Sequence, residues 1–107
     1  MATTKEFYDY VAEQLQRVGD ITTRKMMGEY CVYYKGKIVG GMYDNQLLLK
    51  TTESSQKMLP DAEKVYPYEG SKSKMLVVEE VEDTTRLAEI MAAMYDELPM
   101  PRKRKKA

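Results

Sequence analysis

The chain has 107 residues, enough for one domain with its own hydrophobic core, and its 17 lysines and arginines balance 17 aspartates and glutamates. It holds no histidine and a single cysteine, which removes the commonest general base, the commonest zinc ligand, intramolecular disulfides and thiolate clusters. The hydrophobic 43% contains no apolar run near the roughly 20 residues that cross a bilayer, so a soluble, cytoplasmic protein without a membrane role is expected.

The N-terminus, MATTKEFYDYV, is amphipathic and carries acids, unlike a signal or transit peptide. Thr3 and Glu6 match a capping box, and Phe7, Val11, Leu15 and Val18 follow at helical spacing. This predicts a helix over Thr4 to Arg17, closed near Gly19. From Glu29 to Tyr34 the period changes to two, which places Tyr30, Val32 and Tyr34 on one face and Glu29, Cys31 and Tyr33 on the other. "KGK" at 35–37 is a hairpin turn, Ile38 to Tyr43 a second strand, "YDNQ" a second turn and Gln46 to Thr51 a third strand. Gly40 and Gly41 inside the second strand mark a bulge, read ahead of a close-approaching ligand. Cys31 reads as a small strand residue rather than a reactive thiol.

Thr52 caps a short helix over Glu53 to Leu59, stopped by Pro60. Lys64 to Glu69 reads as a strand in which Pro67 requires an edge or a bulge, and Lys74 to Val81 returns antiparallel to it. Asp83 caps a last helix with Leu87, Ile90, Met91, Met94 and Leu98 on one face, ended by Pro99 and Pro101. The expected class is α+β, in the order α-β-β-β-α-β-β-α. Residues 1–100 form the domain and 101–107 a disordered basic tail.

The zero net charge conceals an asymmetry. Arg102, Lys103, Arg104, Lys105 and Lys106 lie together at the end, which leaves 12 basic residues against 17 acids in the body, about −5. Such a tail either keeps the chain solvated or binds nucleic acid weakly and salt-dependently. The first reading is preferred, because the body is acidic and carries no recognition helix or aromatic RNA-binding motif. No phosphate-cradling glycine motif and no spaced carboxylates appear, so neither an enzyme nor a bound cofactor or metal is expected.

The stretch "RKMMGEYCVYYKGKIVGGMYDNQLLLK" resembles the signature of the TfoX/Sxy N-terminal domain family of competence regulators. Arg24, Met26, Gly28, Tyr30, Tyr33, Gly36, Leu47, Leu49 and Lys50 stand in the corresponding places. Pro67–Tyr68 and "EDTTRL" resemble its downstream elements. Met27 stands where phenylalanine is usual, and Glu29 where the family has a second glycine. The resemblance spans residues 4 to 98. It implies a two-layer α-β(3)-α-β(2)-α fold, similar to secretion chaperones, with helices packed on one face of an antiparallel sheet. It also implies a non-enzymatic regulator that acts on transcription of DNA-uptake genes through a protein partner. The candidate partner surface is then the sheet face that helices leave bare, with Arg24, Tyr33 and Lys50. The alternative is nucleic-acid binding through Arg102, Lys103, Arg104, Lys105 and Lys106.

Overall fold

The computed structural model describes residues 3–99. The Thr4 side chain, on extended backbone, accepts the Phe7 amide and starts α1, Lys5–Val18, which Gly19 closes at φ 91°. The cap is therefore Thr4 and not the expected Thr3, because Thr3 is committed elsewhere. Its hydroxyl and its amide both donate to Glu29 Oε1, at 2.6 and 3.0 Å. Glu29 thus anchors Thr3, just ahead of the first helix.

Four strands follow in succession: β1 Ile21–Met26, β2 Glu29–Tyr34, β3 Lys37–Tyr43 and β4 Gln46–Lys50. Their three connections are two residues each, with both residues at positive φ: Met27 and Gly28, Lys35 and Gly36, Asp44 and Asn45. That is the hairpin turn whose twist matches the twist of the strands it joins. After α2, Glu53–Met58, come β5, Lys64–Val65, and β6, Met75–Val78, and then α3, Thr84–Tyr95. The six strands are antiparallel in the order β1-β2-β3-β4-β6-β5.

The α+β class and the antiparallel sheet agree with the sequence reading, but the strand expected over Lys74 to Val81 is Met75–Val78, and two further elements differ. The expected α-β(3)-α-β(2)-α order lacks β1, so the observed order is α-β(4)-α-β(2)-α. β1 is an edge strand of sequence ITTRKM, mostly exposed, and it has no apolar alternation to betray it. The strand expected over Lys64 to Glu69 ends at Val65, since Pro67 cannot donate to a ladder.

Alternation in β2 works as its period implies. Val32 and Tyr34 are buried in the main core with Val11 and Leu15 of α1 and Leu87, Ile90, Met91 and Met94 of α3. Tyr30 packs against that core and stacks on Tyr8, ring centroids 4.0 Å apart. Val39 and Met42 of β3, Leu47 and Leu49 of β4 and Val78 of β6, with Val81 and Leu98 outside the strands and helices, complete it. Lys37, only 6% exposed, lays its stem on this side, donates from Nζ to the Tyr95 carbonyl at 2.9 Å and lies 4.0 Å over the Tyr95 ring. It shares that carbonyl with the Leu98 amide at the C-terminus of α3, where a cation also suits the helix dipole. No helix among the described residues is long and apolar enough to cross a membrane.

The expected bulge is present. Val32 pairs with Gly40 but Tyr33 with Ile38, so Val39 is the extra residue of β3. The glycines beside it answer to close approach of backbones. A Cβ on Gly40 would lie 1.9 Å from the Leu48 carbonyl oxygen, and one on Gly41 2.5 Å from that of Tyr30.

Two stability measurements check this packing. Leu87→Ala and Met91→Ala, at 2% and 0% exposure, should each lower the unfolding free energy in urea by about 2–5 kcal/mol. Gly40→Ala adds one carbon against a backbone that cannot yield, and should cost about 1–3 kcal/mol or more. An unchanged urea midpoint in either set would contradict the arrangement.

Candidate functional site

Register carries the helix-free face across the sheet. Cys31 pairs with Arg24 on one side and Gly41 on the other, Gly41 with Leu48, and Leu48 with Val77. Residues opposite one another in a ladder share a face, so this row lies opposite the core row of Val32. Two residues further along, the same face presents Thr22, Tyr33 and Ile38, then Lys50, Met75 and Val65. Met26 and Glu29, with Tyr43 and Gln46, make the row at the other end.

Arg24, Tyr33 and Lys50 are therefore on one face, the one that helices leave bare. They do not converge on a single point. Arg24 and Tyr33 are diagonal neighbours on β1 and β2, whereas Lys50 on β4 lies three strand spacings, about 14 Å, across the sheet from Arg24 and two residues further along. Arg24 is exposed, and Tyr33 and Lys50 are half-buried. None of the three side chains takes part in a hydrogen bond or ion pair among the described residues. The basic residues 102–106 lie outside the described residues.

Between Arg24 and the β4 end the face is closed in. Cys31, 8% exposed, has its Sγ 3.9 Å from Met26 Sδ and 4.0 Å from Tyr43 Oη. It fills a gap among side chains, as the sequence reading has it. The Tyr43 ring lies across Gly41, where a Cβ would meet its Cε2 at 2.6 Å. Burial, reinforced by Cys31, pushes the Tyr43 hydroxyl above the ordinary phenol range, so it remains protonated.

Beyond Tyr43 the face opens into a cleft of about 490 Å³, bounded by the β3–β4 hairpin and by residues 65–69. Tyr66, Pro67, Tyr68 and Glu69 form one side of it. Sequence reasoning missed these residues, because the alternation in VYPYE reads as a strand when its aromatics in fact stand along a non-ladder segment. The usable signal was Pro67 itself, flanked by tyrosines. A second cleft, of about 420 Å³, lies on the helix side between the end of α2 and α3. Its one basic lining residue, Arg86, is bound to the Met58 carbonyl at 2.6 Å.

With this geometry in place, the comparisons with known proteins agree with the resemblance. A Spirochaeta aurantia protein, described as an uncharacterized 12.7 kDa protein in the trpE 5′ region, is 30% identical over 105 residues, covering 98% of this chain and 91% of that one. The model of the TfoX N-terminal domain matches residues 13–97, which span the sheet and reach from within α1 past the end of α3. The chain belongs to the TfoX N-terminal domain family.

Proposed function

We propose that the chain is a non-enzymatic regulatory module that binds a protein partner through the helix-free sheet face. Through that partner it acts in the cytoplasm on transcription, in the manner of competence regulators. The observation that supports this most is where the apolar exposure falls. Six large hydrophobic side chains are exposed among the described residues: Tyr10, Met26, Met27, Ile38, Tyr66 and Tyr68. Met26 and Ile38 belong to this face by register, and Tyr66 and Tyr68 by the cleft they line. Four of the six therefore lie on one side, edged by charge, as at an interaction surface, and tyrosine and arginine are the residues that most often anchor one.

The fold supports the reading by elimination among the family-like positions. Gly28 and Gly36 are used by hairpins, Tyr30, Leu47 and Leu49 by the core. Arg24, Tyr33 and Lys50 have no such employment, and a partner supplies it.

Capture from an extract of the source cells, quantified by mass spectrometry, tests the reading. Tyr33→Ala and Arg24→Glu should each reduce recovery of a specific bound protein at least about fivefold, the effect of losing roughly 1 kcal/mol. Glu13→Ala, on the exposed side of α1, and deletion of residues 102–106 should leave it unchanged. A bound protein retained by both face variants would refute this surface. Titration with duplex DNA tests the tail: binding with a log–log salt slope no steeper than about −4.5, lost on tail deletion, would favour nucleic acid instead.

A further inference from the structure

The cleft at the end of this face has a chemical character of its own. Its floor is Leu48, 1% exposed, and its walls include the rings of Tyr43, Tyr66 and Tyr68. Tyr43 and Tyr68 meet with centroids 6.0 Å apart and planes inclined at 49°, a corner rather than a stack. Three carboxylates, of Glu29, Asp44 and Glu69, stand around it, and no lysine or arginine is among the lining residues. Glu29 is held in place: the Thr3 amide, the Thr3 hydroxyl and the Asp44 amide all donate to its Oε1.

Aromatic faces and carboxylates, that of Glu29 held in place, around an apolar floor suit one kind of group, an organic cation. The ring quadrupole attracts positive charge, the carboxylates complement it, and the floor accepts a methylene stem. Phosphate is the opposite case and would be repelled. The fold already packs ammonium groups on rings, elsewhere with Lys37 on Tyr95 and Lys35 at 5.4 Å from the Tyr34 centroid, and at this cleft with Lys74 at 5.4 Å from the centroid of Tyr66. Among the described residues no cation stands over Tyr43 or Tyr68.

We propose that this cleft receives an arginine or lysine side chain presented by the protein that docks on the helix-free face. The proposal rests on that face being the partner surface, and it adds what the partner must carry: a basic residue at the edge of its contact, opposite Tyr68 and Glu69. The exposed Tyr68 ring and the Glu69 carboxylate then select among partners, because an acidic residue at that point would be repelled.

The test titrates protein carrying isotope-labelled tyrosine with N-acetyl-arginine amide and N-acetyl-lysine amide, followed by NMR at constant ionic strength. N-acetyl-norleucine amide serves as the uncharged control. Both cations should shift the Tyr43, Tyr66 and Tyr68 ring signals saturably, and norleucine should not. Tyr68→Ala and Glu69→Gln, both at exposed positions, should each weaken the response about threefold or more while the core tyrosine signals of Tyr30 and Tyr34 stay in place. No shift at the cleft rings, or an equal shift from norleucine, would overturn the proposal. Failure of the partner-surface reading shows separately, as capture that survives Tyr33→Ala and Arg24→Glu, so the two outcomes are distinguishable.

Discussion

A carbon atom at the Cβ position of Gly40 would sit 1.9 Å from the carbonyl oxygen of Leu48, and one at Gly41 would meet the backbone of Tyr30. Strand β3 is held so tightly between β2 and β4 that two successive positions must lack side chains. The bulge at Val39 follows from the same crowding, since it lets Tyr33 pair with Ile38 while Val32 pairs with Gly40. The bare backbone then admits the Tyr43 ring on one face. On the other face Val39 and Met42 meet α1 and α3 in the core. Both faces of the sheet depend on that constriction.

The division between the two faces follows from it. On the helix side, alternate residues of four strands meet the stripes of α1 and α3, and Lys37 ties the end of α3 to the start of β3. The chain's entry is fastened from the other direction. Thr3 and Thr4 bond to Glu29 and to Asn45, so the first helix is aligned by the hairpin tips beneath it. What remains on the helix-free face is a mixture of exposed apolar groups and of basic side chains with no structural task. At its far end stands an acidic, aromatic cleft.

Much of this was legible in the sequence, for physical reasons that can be named. Strand β2 alternates with period two because its faces are buried unequally, β4 carries the run Leu47–Leu49 because it is buried on both faces, and each turn between them holds a glycine or an asparagine at positive φ. The helical stripes are visible for the same reason. The edge strand β1 was not legible, because an exposed edge needs only β-branched residues and charge. The first cap was shifted by one residue, because a threonine bonded to a distant glutamate looks locally like one that caps a helix. Arg24, Tyr33 and Lys50 could be assigned to one face from alternation and resemblance. The cleft could not, since Tyr43 and Tyr68 are 25 positions apart and meet only through the tertiary fold.

The central claim is that the molecule is built with one face for its core and the other for a partner. Hydrogen–deuterium exchange of the protein alone and in complex with its captured partner addresses it directly. The account predicts slowed exchange in β1, in the turn after it and in residues 65–69, with α1 and α3 unchanged. Protection concentrated on α1 and α3, with the sheet edge and residues 65–69 unaffected, would contradict it.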